Sequence, residues 1–301
     1  MVAGWLGLSS PALAQWEETG ANGEKTYALK GAETCLKCHD KAPATNMLHT
    51  AHAAKGDSRS PFAQHACESC HGASPEHLRK VEGQPRALPA VVYRKDSPNT
   101  VEERNGMCAT CHQGGKLMNW SGSQHQSNDV TCVDCHGLHT TKDPATSRQD
   151  MPNTCFKCHA EQRAQTLRPS HHPIREGQTV CSDCHNPHGS PTQKMLLGRT
   201  VNDTCYKCHA ETRGPFLWEH APVREDCTIC HSPHGTVQPA LLKQRAPFLC
   251  QECHMMVGGH SNQLLSNGNG GNDQRIRGKS CMNCHSQIHG SNHPSGPRFM
   301  R

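Results

Sequence analysis

Apolar residues are thinly spread along this chain, and they hold neither of the periods that build regular structure for long. No run alternates apolar and polar positions persistently, so no sheet is expected. The helical period surfaces only in short pieces after certain cysteine motifs, and it predicts helices over Ala160–Leu167 and Ala210–Leu217. Twenty prolines and 26 glycines in 301 residues punctuate the rest. The stretch 78–106, with Pro85, Pro89 and Pro98, reads as a connecting arm with a short extended run at Val91-Val92-Tyr93. Ser266–Gly271, rich in Asn and Gly, reads as a flexible loop. No apolar stretch reaches the roughly 18 residues that a membrane-spanning helix needs.

Composition sharpens this. Hydrophobic residues make up 34% of the chain, aromatics only 4%, and 20 of the hydrophobic residues are cysteines. Without cysteine the apolar share is roughly 27%, against about 45–50% in an ordinary globular chain. Such a supply cannot offset the entropy of ordering the backbone. Something other than side chains must then supply a core, and 20 Cys with 24 His point to a metal or cofactor.

Every cysteine lies in a C-x-x-C pair, and every pair is followed by histidine. The ten motifs are Cys35/Cys38/His39, Cys67/Cys70/His71, Cys108/Cys111/His112, Cys132/Cys135/His136, Cys155/Cys158/His159, Cys181/Cys184/His185, Cys205/Cys208/His209, Cys227/Cys230/His231, Cys250/Cys253/His254 and Cys281/Cys284/His285. C-x-x-C-H is the attachment signature of c-type haem. Two thiols three positions apart reach the two vinyl groups on one porphyrin edge, and the adjacent His turns under the ring to bind iron. Structural zinc also uses C-x-x-C pairs but does not require His after each. With only 24 His in the chain, ten of ten is no accident. Disulfide staples do not take this pattern either. The expected cofactor is ten covalent haems c.

Taken two at a time, the motifs form five diheme repeats. Asn153-Thr154-Cys155-Phe156-Lys157-Cys158-His159-Ala160-Glu161 is matched by Asp203-Thr204-Cys205-Tyr206-Lys207-Cys208-His209-Ala210-Glu211, and both repeats close on Pro-His-Gly. The divisions are 33–100, 101–150, 151–200, 201–246 and 247–301, the last with the C-terminal tail. They are preceded by an arm at 15–32 and by a signal-peptide remnant at 1–14, where Ala12-Leu13-Ala14 fits a cleavage site. Each repeat runs motif, spacer, His, motif, closing His. The closing histidines are His77, His139, His188, His234 and His289, and the mid-repeat ones are His52, His125, His171, His220 and His260. Ten extra histidines for ten irons imply bis-His ligation throughout. His52 is preferred to His49 because it lies 13 residues after His39, as His125 does after His112. His171 is preferred for its H-x-P context, shared with His220, although the 13-residue spacing favours His172. A closing His, three residues from a proximal one, cannot easily cross its own ring. It is therefore expected to serve the other haem of its repeat, leaving the mid-repeat His for the second haem.

The formal charge of +5 does not indicate nucleic acid. Ten haems would bring about 20 negative propionates against about 10 positive ferric centres, leaving the holoprotein net negative. No iron is left open for substrate, so an electron carrier is expected rather than an enzyme. Five similar units in a row make a quasi-one-dimensional stack.

These marks resemble the decahaem periplasmic cytochromes of the MtrA/DmsE type. The features that carry the resemblance are the ten motifs, Pro61-Phe62 leading into Cys67-Glu68-Ser69-Cys70-His71-Gly72, the two Pro-His-Gly closures, and His289-Gly290-Ser291-Asn292-His293-Pro294-Ser295-Gly296. The resemblance implies an elongated, mostly irregular multihaem cytochrome c with short helices. It implies insertion into an outer-membrane porin-like β-barrel. Such a protein passes electrons between periplasmic or inner-membrane cytochrome donors and an extracellular multihaem cytochrome or reductase, in respiration on metal or DMSO-type acceptors. A soluble periplasmic shuttle and a terminal multihaem reductase are the alternatives.

Overall fold

The computed structural model describes residues 26–254 and 281–297. The signal remnant, most of the arm 15–32, the loop Ser266–Gly271 and His260 lie outside them. Among the described residues the chain is an irregular framework of short α-helices and 3-10 turns with isolated bridges in place of a sheet.

The longest helix, Val101–Ala109, is nine residues long and owes its start to a capping box. Glu103 N donates to Thr100 Oγ1 and Thr100 N to the Glu103 carboxylate. The spacer helix of repeat 3 runs Ala160–Thr166. Its counterpart in repeat 4 shrinks to one 3-10 turn, Ala210–Thr212. There Gly214-Pro215 follows, and proline supplies no N–H and disfavours helical backbone before it. The stretch 78–106 is no free arm. Val91 N donates to His71 O at 2.9 Å and Ala90 N to Ser74 Oγ at 2.9 Å, which folds the segment back onto the second motif.

The only buried hydrophobic side chains among the described residues are Ala32, Ala66, Val91 and Val180. Larger apolar groups stand bare, Leu167 at 59% and Leu217 at 72% exposure. Joining falls to buried polar groups. Glu68 accepts from Ala28 N and Ser74 N at 2.7 and 3.0 Å. Asn105 gives Nδ2–H to Val130 O and accepts from Cys132 N, and Asn202 does the same with Val223 O and Cys227 N. Each asparagine sits three residues before one motif and grips the first cysteine of the next.

Two compact units are present, residues 1–117 with 126–147, and 118–125 with 148–301. In the second unit the glycine after the closing His lies flat on an earlier spacer. A Cβ on Gly189 would come within 2.1 Å of Asn119 O, and one on Gly235 within 2.0 Å of Gln165 O. Both have φ in the left-handed region, 103° and 147°. A hydrogen bond from Arg168 Nη1 to Gly235 O and the bridge between Ser170 and Thr236 pin the same contact. Gly235→Ala is therefore expected to destabilise the holoprotein by about 3 kcal/mol in thermal melts, whereas Gly56→Ala, with open space around it, stays within about 0.5 kcal/mol of wild type.

Candidate haem-binding sites

All ten motifs form the same single helical turn. In each, the His N–H donates to the carbonyl of the first cysteine at 2.9–3.0 Å. Both thiols thereby fall on one side of the turn, with the imidazole one turn beyond the first.

Opposite eight of these imidazoles stands a second one. Ring centres are 6.2 Å apart for His39 and His77, 5.9 Å for His52 and His112, and 6.1 Å for His71 and His139. In the second unit they are 6.1 Å for His125 and His159, 6.3 Å for His172 and His209, 6.1 Å for His185 and His234, 6.1 Å for His220 and His254, and 6.0 Å for His231 and His289. Two imidazoles sharing one iron need about 2 Å from each nitrogen to the metal and about 1.1 Å from nitrogen to ring centre, or about 6 Å overall. The gap therefore fits one haem iron. Among the described residues no three His, Cys, Asp or Glu side chains converge as a metal site built from protein ligands alone would require. A cavity of about 540 Å³ opens beside the first motif, lined by Cys38, His39, Lys41, Pro43, Ala44 and His139.

The partners differ from the within-repeat expectation. Only His77 faces the first motif of its own repeat. His139, His234 and His289 face the second motif of the preceding repeat, at His71, His185 and His231. His52, His125, His172 and His220 face the first motif of the following repeat. The cause is the seating of each closing segment on the preceding spacer. Pro187 O lies 2.7 Å from His125 Nδ1 and Pro233 O 2.6 Å from His172 Nδ1, so a closing segment also orients the mid-repeat ring. His172, and not His171, is the residue brought to His209. His171 turns aside to Arg168 O and Glu176. The 13-residue spacing was the better guide and the H-x-P context misled, because proline constrains backbone and not ring direction. His188 lies beside Trp120, ring centres 6.4 Å apart. His49 is exposed, His65 stacks on Tyr27 at 3.7 Å, and His293 bonds Ser295.

The last motif is Cys281/Cys284/His285. Its turn forms like the others, with Cys284 N and His285 N both donating to Cys281 O, at 3.2 and 3.0 Å. Cys284 is exposed, as are Cys38, Cys111, Cys158, Cys184, Cys208 and Cys253. His71, His185 and His231 each face the closing ring of the next repeat, and His289, the closing ring of this repeat, faces His231. His260, the ring expected for His285, lies outside the described residues.

Burial first, and the facing imidazole second, hold His52, His139, His220, His234 and His289 below their ordinary pKa. Neutral rings are the form that ligates metal.

Sequence reasoning missed what orients the motif histidines. His71 Nδ1 lies 2.9 Å from Val91 O, His185 Nδ1 2.7 Å from Lys194 O, and His231 Nδ1 2.8 Å from Ala240 O. The last two carbonyls belong to matching turns in which Lys194, Met195, Ala240 and Leu241 all take positive φ. Such strain in non-glycine residues is held where a site needs it. In repeat 2 a side chain replaces the turn, and His136 Nδ1 lies 2.6 Å from Asp143 Oδ2. Burial alone would raise that carboxyl. Hydrogen bonds from His136, Gly137 N and Ala145 N outweigh it and hold Asp143 below the usual range.

The cysteines set the order of the motifs. In every repeat the first cysteines of the two motifs hydrogen-bond, Cys35 with Cys67, Cys108 with Cys132, Cys155 with Cys181, Cys205 with Cys227, and Cys250 with Cys281. That bond pulls Cys67 and Cys181 down to about 7 and pushes Cys35 up. Between repeats, burial raises Cys70, Cys184 and Cys230, and the nearby Cys111, Cys205 and Cys253 add to it. Each unit thus strings its motifs together in sequence order. Tyr93 sits at one such junction, donating its hydroxyl to Cys70 O at 2.8 Å with its ring edge-on to His71.

Known proteins are similar to this chain in sequence. A doubled C-x-x-C-H model matches residues 171–214 and 220–258, and a cytochrome c-type NrfB-like model matches 67–152. The multiheme cytochrome MtrA of Shewanella baltica is 45% identical over 283 residues, covering 92% of this chain and 84% of its own. This chain belongs to the MtrA family of multihaem c-type cytochromes. The cytochrome c-type protein NrfB of Haemophilus influenzae is 31% identical over 43% of the chain and 65% of its own length. As an MtrA-family cytochrome the chain carries covalently bound haem c and transfers electrons.

The two adjacent histidines separate cleanly by experiment. His172→Ala is expected to leave one high-spin ferric haem in the electronic and EPR spectra, and His171→Ala to leave all haems low-spin. The opposite result would reassign the ring facing His209.

Proposed function

We propose that this MtrA-family cytochrome holds ten haems, each between two histidines, as a wire in which each haem hands its electron to the next in sequence order. The observation that supports this most is the alternation of cysteine contacts, within a repeat and then between repeats. Consecutive motifs so placed leave no room for a long gap between neighbouring porphyrins. Bound haem supplies a one-electron iron couple, and the rest of the work falls to the chain. Cysteines would hold each haem covalently, and a motif histidine would ligate its iron. His52, His77, His125, His139, His172, His188, His220, His234, His260 and His289 would supply the second histidine. With two histidines for each iron, the chain would offer none to a substrate, which favours a carrier over a reductase. The exposed Leu167 and Leu217 become the apolar surface that porphyrin covers.

The wire works in the periplasm, docked in an outer-membrane porin-like barrel. It links a periplasmic or inner-membrane cytochrome donor to an extracellular multihaem cytochrome or reductase. The 45% identity to a named MtrA supports that placement. Among the described residues no helix is long and apolar enough to cross a membrane, so passage through the bilayer needs a partner's wall.

Intact mass of the exported protein should show ten haems, and the oxidised spectrum should be entirely low-spin. Affinity capture of the holoprotein from outer membranes should recover a barrel protein. In liposomes holding that barrel, the cytochrome should carry electrons from an external reductant to an internal acceptor. Fewer haems, or a CO-binding ferrous haem, would overturn the wire. Ten low-spin haems without barrel recovery would leave a soluble shuttle.

A further inference from the structure

We infer that Asp143 makes the fourth haem, at Cys132/Cys135/His136, the lowest-potential station of the wire. The inference rests on the proposed haem ligation by His136. In the other second motifs of the first four repeats the proximal ring meets a backbone carbonyl: Val91 O, Lys194 O and Ala240 O for His71, His185 and His231. A carbonyl is a neutral dipole. At His136 the acceptor is a carboxylate oxygen 2.6 Å away, the shortest of these four contacts. The carboxylate is only 21% exposed. Its other oxygen is held by Gly137 N and Ala145 N, both at 3.1 Å, so it cannot swing away from the ring. Among the described residues a second carboxylate, Glu211 near His209 Nδ1, is 3.3 Å away and 69% exposed, too long and too wet to compete.

When Nε2 binds iron, Nδ1 carries the ring's proton and donates it to Asp143. A charged acceptor draws that proton outward and leaves more negative charge on the ligating nitrogen. Ferric iron is stabilised over ferrous by a more basic axial ligand and by a fixed negative charge nearby, so both effects lower the potential. The sequence of repeat 2 supports a dedicated role. Where repeats 3 and 4 spend two strained residues on presenting a carbonyl, repeat 2 has Thr140-Thr141-Lys142-Asp143-Pro144 and presents a side chain. Electrons moving in either direction then meet an uphill site at the fourth station, so it stays oxidised until its neighbours fill.

The test is a spectropotentiometric titration of the purified ten-haem protein and two variants, with EPR at graded potentials. In wild type the last haem to be reduced should give a low-spin ferric signal of diminished maximal g, the mark of imidazolate character. Asp143→Asn should shift a single one-haem component upward, leave the others in place and remove that signal. Asp143→Glu, which keeps the charge, should leave the low component low. The inference is overturned if Asp143→Asn superposes on wild type, if its shift spreads over all components, or if both variants shift alike. Should Asp143→Asn lose its haem, the wild-type EPR decides alone, and absence of the signal from the last-reduced haem overturns the inference. A wild type without haem on Cys132 and Cys135 by peptide mass would instead sink the underlying ligation, and the two failures are distinct.

Discussion

The separation of two imidazoles governs this molecule. Eight pairs of rings are held 5.9 to 6.3 Å apart by stretches of backbone that have almost no apolar core of their own. That distance is too great for the rings to stack on each other and is right for one metal between them. Such a framework gains little by closing on itself. Its stability comes from bonds to what fills the gaps, as in small metal-organised domains. The buried polar contacts of Glu68, Asn105 and Asn202 then act as spacers more than as glue, fixing where one motif lies against the next.

The geometry also ranks the levers on each iron. The eight paired sites all set one imidazole opposite another, so the kind of facing group does not tell them apart. What varies is the group behind each ring, whether a carbonyl on a strained turn, a carbonyl on a folded-back segment, or a carboxylate. Grading a wire by its outer contacts leaves its electron-carrying geometry untouched.

The motifs were fully legible in the sequence, because five residues in one turn fix both covalent anchors and one axial ligand locally. The sparse helices were partly legible. Ala160–Thr166 falls where the period places it, while Gly214-Pro215 cut its counterpart short. The crossing of ligands between repeats was not legible. It depends on Gly189 and Gly235 lying against Asn119 and Gln165, contacts with no local signature beyond the recurring Pro-His-Gly. Only the shared 13-residue interval pointed to His172, and it carried the information because it counts helical turns and chain length together. Asp143 hid as one acidic residue among 26, since its importance lies in a ring direction that no spacing records.

The exchange of rings between neighbouring repeats bears on how such an array could lengthen. The repeat that recurs in the chain is offset from the pair of ligands that serves any one metal. The first motif's ring is faced from inside its own repeat, by His77, while beyond it rings are lent both forward and backward. A duplicated repeat spliced into the interior would inherit a lender on each side and become one in turn. The array can therefore grow by two stations at a time without breaking the facing of rings, whereas a cut made inside a repeat would part facing rings on both sides of the break.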